Sequence, residues 1–129
     1  MEWHFNSDAP IYAQLVEQMT LRIVTAVYMP GQRMPSVRDL AMEAGVNPNT
    51  MQRALGELER EGLVFSQRTS GRFVTEDIKM IEEAKKTLAS QQIETFLRAM
   101  DQLGFQPNEI IELVKTAQEK EEMQNVANS

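Results

Sequence analysis

Apolar residues recur at helical spacing along most of the chain, and proline or glycine marks the places where that spacing fails. Ile11, Leu15, Met19 and Ile23 repeat every four residues, which predicts a first helix with one buried stripe. Pro10 falls in its first turn, Ser7 or Asp8 is placed to cap it, and the pattern runs out near Tyr28. Ahead of it, Trp3 and Phe5 alternate with His4 and Asn6, the pattern of a short strand or an extended arm with one apolar face. Two prolines and a glycine between Met29 and Pro35 forbid helix and predict a shaped loop. Ser36 then caps a short helix, with Asp39 three residues on as the partner of a capping box and Val37, Leu40, Ala41 and Ala44 inward. Gly45 ends it.

A third helix is expected from Pro48 to about Glu61, with Asn47 as N-cap, proline at the first helical position and Gly62 as the stop. Met51, Ala54, Leu55 and Leu58 form its buried stripe. Leu63 to Ser66, a polar Gln67 to Gly71, and Arg72 to Val74 have the form of a β-hairpin. Three helices followed by a hairpin is the order of a winged helix. Helical spacing resumes from Glu76 to Leu103, breaks at Gly104 to Pro107, and returns with Ile110, Leu113, Val114 and Ala117 before a charged end from Lys120 expected to fray. The expected architecture is mainly α with a small β-hairpin. A winged helix-turn-helix domain spans residues 1–75, and a two-helix C-terminal dimerisation hairpin spans 76–129.

The fourth helix, about 28 residues or roughly 42 Å at about 1.5 Å per residue, is longer than a small three-helix domain can cover. Its apolar face calls for a second chain. Leu88, Phe96, Leu97, Met100, Leu103, Ile110 and Val114 are the residues expected to bury against a symmetry mate in a two-fold homodimer.

Composition excludes several classes of function. Among 129 residues there is no cysteine, which removes disulfides, thiolate catalysis and thiolate-bound zinc. No apolar run is long enough to cross a bilayer and the N-terminus does not resemble a signal peptide, so a cytoplasmic protein without a membrane partner is expected. The single histidine, His4, lies in the terminal arm and reads as packing. Asp101, Glu109 and Glu112 lack the spacing of a metal motif, and no nucleophile–base pair or phosphate-cradling glycine loop is present. Neither a cofactor, a metal nor an enzymatic activity is expected.

Net charge is −6, unfavourable at first sight for a nucleic-acid binder, but it is unevenly spread. Residues 1–75 carry seven arginines, no lysine and eight acids, a balance of −1, whereas residues 76–129 carry six bases and eleven acids. The stretch from Gly62 to Thr75 holds Arg68 and Arg72 and no acid. Asn49, Thr50, Gln52 and Arg53 fall outside the apolar stripe of the third helix and carry groups suited to base edges and phosphates, while Glu57, Glu59 and Glu61 are held back to its second half. Arg53 has two readings, sideways to a phosphate or back to Glu57, and Arg38 could otherwise pair with Glu43.

Taken together, Tyr12-Ala13-Gln14-Leu15, Pro30-Gly31, Met34-Pro35-Ser36-Val37-Arg38-Asp39-Leu40-Ala41, Val46-Asn47-Pro48-Asn49-Thr50, Leu58-Glu59-Arg60-Glu61-Gly62-Leu63 and Gly71-Arg72-Phe73-Val74 resemble the N-terminal domain of GntR-family bacterial transcriptional regulators. The short tail is similar to that of the YtrA-like subfamily. The resemblance implies a homodimeric winged-helix regulator, usually a repressor and often of a transporter operon, that binds palindromic double-stranded DNA. It implies DNA contacts from Arg38, from Asn47, Asn49, Thr50 and Gln52, and from the wing, where Arg68, Ser70 and Arg72 lie; Arg53 joins this set from the residue reading. Thr69 stands where many members have a wing glycine, and Met34 and Met51 replace a leucine and a valine, swaps that keep apolarity and approximate volume. A small-molecule effector, if one acts, would have to sit between the tail helices or near Thr75 to Asp77. The rival reading is a winged helix that binds protein rather than DNA, on the strength of the acidic second half of the third helix.

Overall fold

The computed structural model describes residues 1–128. It contains α1 (Ile11–Val24), α2 (Val37–Ala44), α3 (Pro48–Arg60), β1 (Val64–Gln67), β2 (Gly71–Val74), α4 (Ile78–Gln102) and α5 (Pro107–Ala127). The chain divides into two compact units, Met1–Leu88 and the residues from Ala89 on. The division falls inside α4, where Met80, Ile81 and Ala84 of the first turns pack on the core of the first unit.

That core is built by the predicted stripes. Leu15, Met19 and Ile23 of α1, Leu40 of α2 and Met51, Leu55 and Leu58 of α3 are all within 1% of complete burial. Burying each such side chain contributes roughly 1.5–3 kcal/mol, so α1 and α2 are held on α3 chiefly by this one apolar seam. Val64 and Val74 close it from the sheet.

Local signals set the α2–α3 corner. The Ser36 hydroxyl accepts from the Asp39 amide at 3.1 Å, the Ser36 half of the expected capping box. Gly45 takes the left-handed conformation at φ +70° that ends α2, and the Asn47 side chain accepts from the Asn49 amide at 2.8 Å to start α3 behind Pro48. Gly62, at φ +82°, ends α3, and a Cβ there would stand 2.7 Å from the Met80 sulfur.

β1 and β2 pair antiparallel, Val64 with Val74, Phe65 with Phe73, Ser66 with Arg72 and Gln67 with Gly71. The turn takes its left-handed residue at Gly71, φ +97°, and Thr69 has no positive φ, so the missing wing glycine imposes no strain. The loop before α2 covers the outer edge of β2: the amides of Gly31 and Met34 donate to the carbonyls of Val74 and Arg72, and the Val74 amide donates to Gln32.

Three expectations about the ends are corrected. α1 begins after Pro10 with no side-chain cap from Ser7 or Asp8; the Gln14 side-chain NH2 donates to the carbonyls of Asn6 and Ala9, at 2.9 and 2.7 Å, which ties the arm to the helix without capping its amides. It also ends at Val24, not near Tyr28, because Thr25 Oγ1 turns back onto the Leu21 carbonyl and Ala26 enters the left-handed region at φ +61°. The last helix runs on to Ala127 rather than fraying from Lys120, in keeping with its lysine, glutamate, glutamine and methionine content. The segment 1–9 is an extended arm, not a strand. It is pinned to α1 by the Gln18 side chain at His4 and by the buried Arg22, whose guanidinium lies 3.6 Å from the centre of the Trp3 ring and donates to the Met1 carbonyl.

In the second unit, a turn with Gly104 at φ +90° joins α4 to α5, which starts with the Gln106 amide donating to Glu109 Oε1 at 3.0 Å. Ile110 is the only buried residue of α5.

Candidate nucleic-acid interface

The exposed side of α3 is polar and unpartnered at its front. With Met51, Ala54, Leu55 and Leu58 buried, Asn49 and Gln52 stand exposed and Thr50 is half-buried beside them. Asn47 is exposed too, but its carbonyl oxygen is already occupied as the α3 cap, leaving only its NH2 group to a ligand. The start of α3 also carries the positive end of the helix dipole.

On the rear of the same helix two of the three acids are ion-paired, and Glu61 is exposed with no ion pair among the described residues. Glu57 pairs with Arg60 at 3.2 Å. The Glu59 carboxylate accepts from the Ser66 hydroxyl and from Arg72 Nε, the latter at 2.6 Å. The Ser66 hydrogen bond, and after it Arg72, hold the Glu59 carboxyl below the usual carboxylate range against the opposing effect of burial. Arg72, expected at the DNA, is therefore directed into its own protein: its side chain is only 19% exposed and ties the second wing strand to α3. The alternation of β2, which places Arg72 opposite Ser66, decides this.

Four exposed arginines of residues 1–75 have no carboxylate within ion-pair distance among the described residues: Arg33, Arg38, Arg53 and Arg68. Arg38 is exposed on the first turn of α2, and Glu43, its suggested partner, instead accepts from the Trp3 indole at 3.4 Å. Arg53 does not turn back to Glu57. Glu57 is held by Arg60, and the Arg53 guanidinium lies over the Tyr12 ring, 3.6 Å from its centre. Arg68 and Ser70 are exposed at the wing tip. Arg33 reaches the wing from the loop before α2, its guanidinium 3.4 to 3.9 Å from the Cβ position of Gly71.

The profile of bacterial regulatory proteins of the gntR family matches residues 11–74. The likeness extends beyond that segment. The chain is 39% identical to the uncharacterized HTH-type transcriptional regulator YhcF of Bacillus subtilis over 90% of this chain and 96% of that one. It is also 34% identical to the HTH-type transcriptional repressor YtrA of the same organism over 85% of each. A solved GntR family transcriptional regulator from Listeria monocytogenes superposes with a TM-score of 0.79 at 39% identity, covering 87% of this chain and 98% of that one. The chain belongs to the GntR family. Within it the chain is YtrA-like, the likeness including the helical tail. As a GntR-family member it is a transcriptional regulator of a DNA-binding, non-enzymatic kind. The DNA-binding domain of one structural neighbour, AraR, has been solved in complex with operator ORX1, at 30% identity over 58% of this chain and 96% of that chain, with a TM-score of 0.53.

The tail of this GntR-family protein leaves most of its predicted apolar face uncovered. Phe96, Leu97, Leu103 and Val114 are exposed, as are Leu113, which the helical spacing places beside Val114, and Ile93 and Ile111. Leu88 and Met100 are half-buried. Ile110, expected at the dimer face, is buried within its own chain and is not free to contact another. No helix is long and apolar enough to cross a membrane, and no group of metal-binding side chains is assembled among the described residues. Tyr12 lies against Arg53 and Arg33 against the wing, and neither is among the residues predicted for the site. Each takes its place through contacts across the fold, which periodicity does not register.

Proposed function

We propose that this GntR-family regulator is a cytoplasmic homodimeric repressor that occupies a palindromic operator, with one winged-helix head on each half-site. The front of α3 enters the major groove, where Asn49 and Gln52 read base edges and Thr50 and the NH2 group of Asn47 support them. Arg38 holds α2 against a phosphate, and Arg68 and Ser70 set the wing on the flanking backbone. Arg72 acts within the protein, fixing the wing for that contact. The carrying observation is the division of α3 into an unpartnered amide-rich front and a rear whose acids Glu57 and Glu59 are both ion-paired.

Homodimerisation is supported by the apolar residues that α4 and α5 leave exposed, which a second copy would cover. Two-fold symmetry then spaces the reading helices by about one DNA turn, roughly 34 Å, or a multiple of it. Repression follows from occupancy of promoter DNA; YtrA, to which the chain is similar, is named a repressor. Any effector would act through the tail that sets the spacing of the heads. Pairing of Glu57 and Glu59 leaves Glu61 as the one unpaired acid of the three on which a protein-binding module would rest, among the described residues.

Selection from random duplexes tests the proposal: a palindrome should emerge, bound by a dimer with affinity that falls steeply as salt rises. Arg38→Ala and Gln52→Ala should each weaken that complex without lowering the thermal midpoint. Wild-type affinity in both variants would refute the site, and a monomer with no preferred sequence would refute the function.

A further inference from the structure

Arg53 is an exposed cation with a fixed address. Its guanidinium lies 3.6 Å from the centre of the Tyr12 ring, and the two side chains, with Ile11, Asn49 and Thr50, line one open depression between the start of α1 and the front of α3. No carboxylate is within ion-pair distance of it among the described residues, since Glu57, one turn along α3, is taken by Arg60 at 3.2 Å.

We infer that Tyr12 is a positioning residue for DNA binding, whose ring presets Arg53 to donate to a backbone phosphate at the edge of the groove that α3 enters. The inference rests on the proposed operator binding and deepens it. Stacking uses the π face of the guanidinium and leaves its rim of N–H donors outward, the geometry that a phosphate accepts in bidentate fashion. A free arginine loses rotamer freedom when it closes on a phosphate, and a stacked one has already lost part of it. Asn49 and Thr50 share the depression, so an anion there would be adjacent to the groups assigned to base contact and would fix their depth in the groove. Tyr12 acts through its ring; the hydroxyl is dispensable.

The test uses the full chain and the duplex selected by the wild-type protein. Tyr12→Phe should bind like wild type. Tyr12→Leu should bind about two- to fivefold more weakly per head, the loss of one exposed cation–π contact. Arg53→Ala should also reduce the slope of log affinity against log salt by about 0.9 for each head. Arg53→Lys keeps the charge and the slope but loses affinity with the stack, a variant that leaves the α1 packing of Tyr12 untouched. Tyr12→Leu on an Arg53→Ala background should add nothing, whereas a general loosening of α1 would weaken binding on either background. Additive losses, or an Arg53→Ala slope equal to wild type, would overturn the positioning role while leaving operator binding in place. Failure of the wild type to select any duplex would overturn both.

Discussion

Replacing Glu59 probes the link between the wing and the reading helix. One carboxylate oxygen accepts from the Ser66 hydroxyl of β1 and from Arg72 Nε of β2, the latter at 2.6 Å. Glu59→Ala removes both bonds and leaves the Arg72 guanidinium, 19% exposed, without its acceptor. A hydrogen bond to a charged group contributes about 1.5–3 kcal/mol when buried, and a solvent-exposed ion pair about 0.2–1 kcal/mol. With Glu59 itself 31% exposed, screening places the loss between these, at about 1–2 kcal/mol. For a unit of this size each kcal/mol moves the thermal midpoint by roughly 4–8 °C, so a fall of about 4–16 °C is expected by calorimetry or circular dichroism. Glu59→Gln keeps an acceptor and loses the charge, and should fall less. Because the folded state holds this carboxyl below its ordinary range, its stabilisation is complete above the unfolded value of about 4.3 and disappears as pH drops through the lower folded value. The gap between wild type and Glu59→Gln should therefore be full at pH 6 and shrink toward pH 3. A midpoint within 1–2 °C of wild type for Glu59→Ala, or a gap independent of pH, would refute the assignment.

Asn47→Ala should cost about 1 kcal/mol through loss of the 2.8 Å cap on the Asn49 amide, read as a lower midpoint together with weaker operator binding. Gly62→Ala should destabilise by roughly 1–2 kcal/mol from left-handed strain, with a further cost as the Met80 sulfur, 2.7 Å from the new Cβ, is displaced. An unchanged denaturation midpoint would contradict the φ of +82° at that position. The double substitution Phe96→Glu/Leu97→Glu puts charge on the exposed tail face and should convert dimer to monomer in sedimentation velocity while the first unit keeps its melting transition. A persistent dimer would move the interface elsewhere.

The parts of the fold legible in the sequence are those where one residue's own chemistry decides the backbone. Ser36, Gly45, Asn47-Pro48 and Gly62 set the ends of α2 and α3, and all four behave in the structure as their residue types demand. Where a distant partner decides, the sequence is silent. Tyr28 prolongs the apolar pattern of α1, yet Arg22 draws the chain around itself, its carbonyl accepting from the amides of both Val27 and Tyr28. Gln14, an ordinary surface residue by pattern, ties the N-terminal arm to α1 by donating to the Asn6 and Ala9 carbonyls. Arg53 and Tyr12 are 41 positions apart in number and in contact in space. Composition placed Arg72 in an acid-free segment, and the strand register then turned it onto an acid from the preceding helix.

The same pairings explain how a chain of net charge −6 can present a cationic face. Of the seven arginines in residues 1–75, Arg22 is buried under Trp3, and Arg60 and Arg72 neutralise Glu57 and Glu59 on the rear of α3. Spending two cations on the acids nearest the reading surface lowers the repulsion a phosphate backbone would meet there. It also leaves the remaining four, Arg33, Arg38, Arg53 and Arg68, without a carboxylate partner among the described residues, on the loop, α2, α3 and wing tip. Five of the six acids in excess lie from residue 76 onward. At a Debye length of about 8 Å in physiological salt, charges beyond that distance from the bound phosphates are screened, so placement rather than the sum governs the affinity for a polyanion.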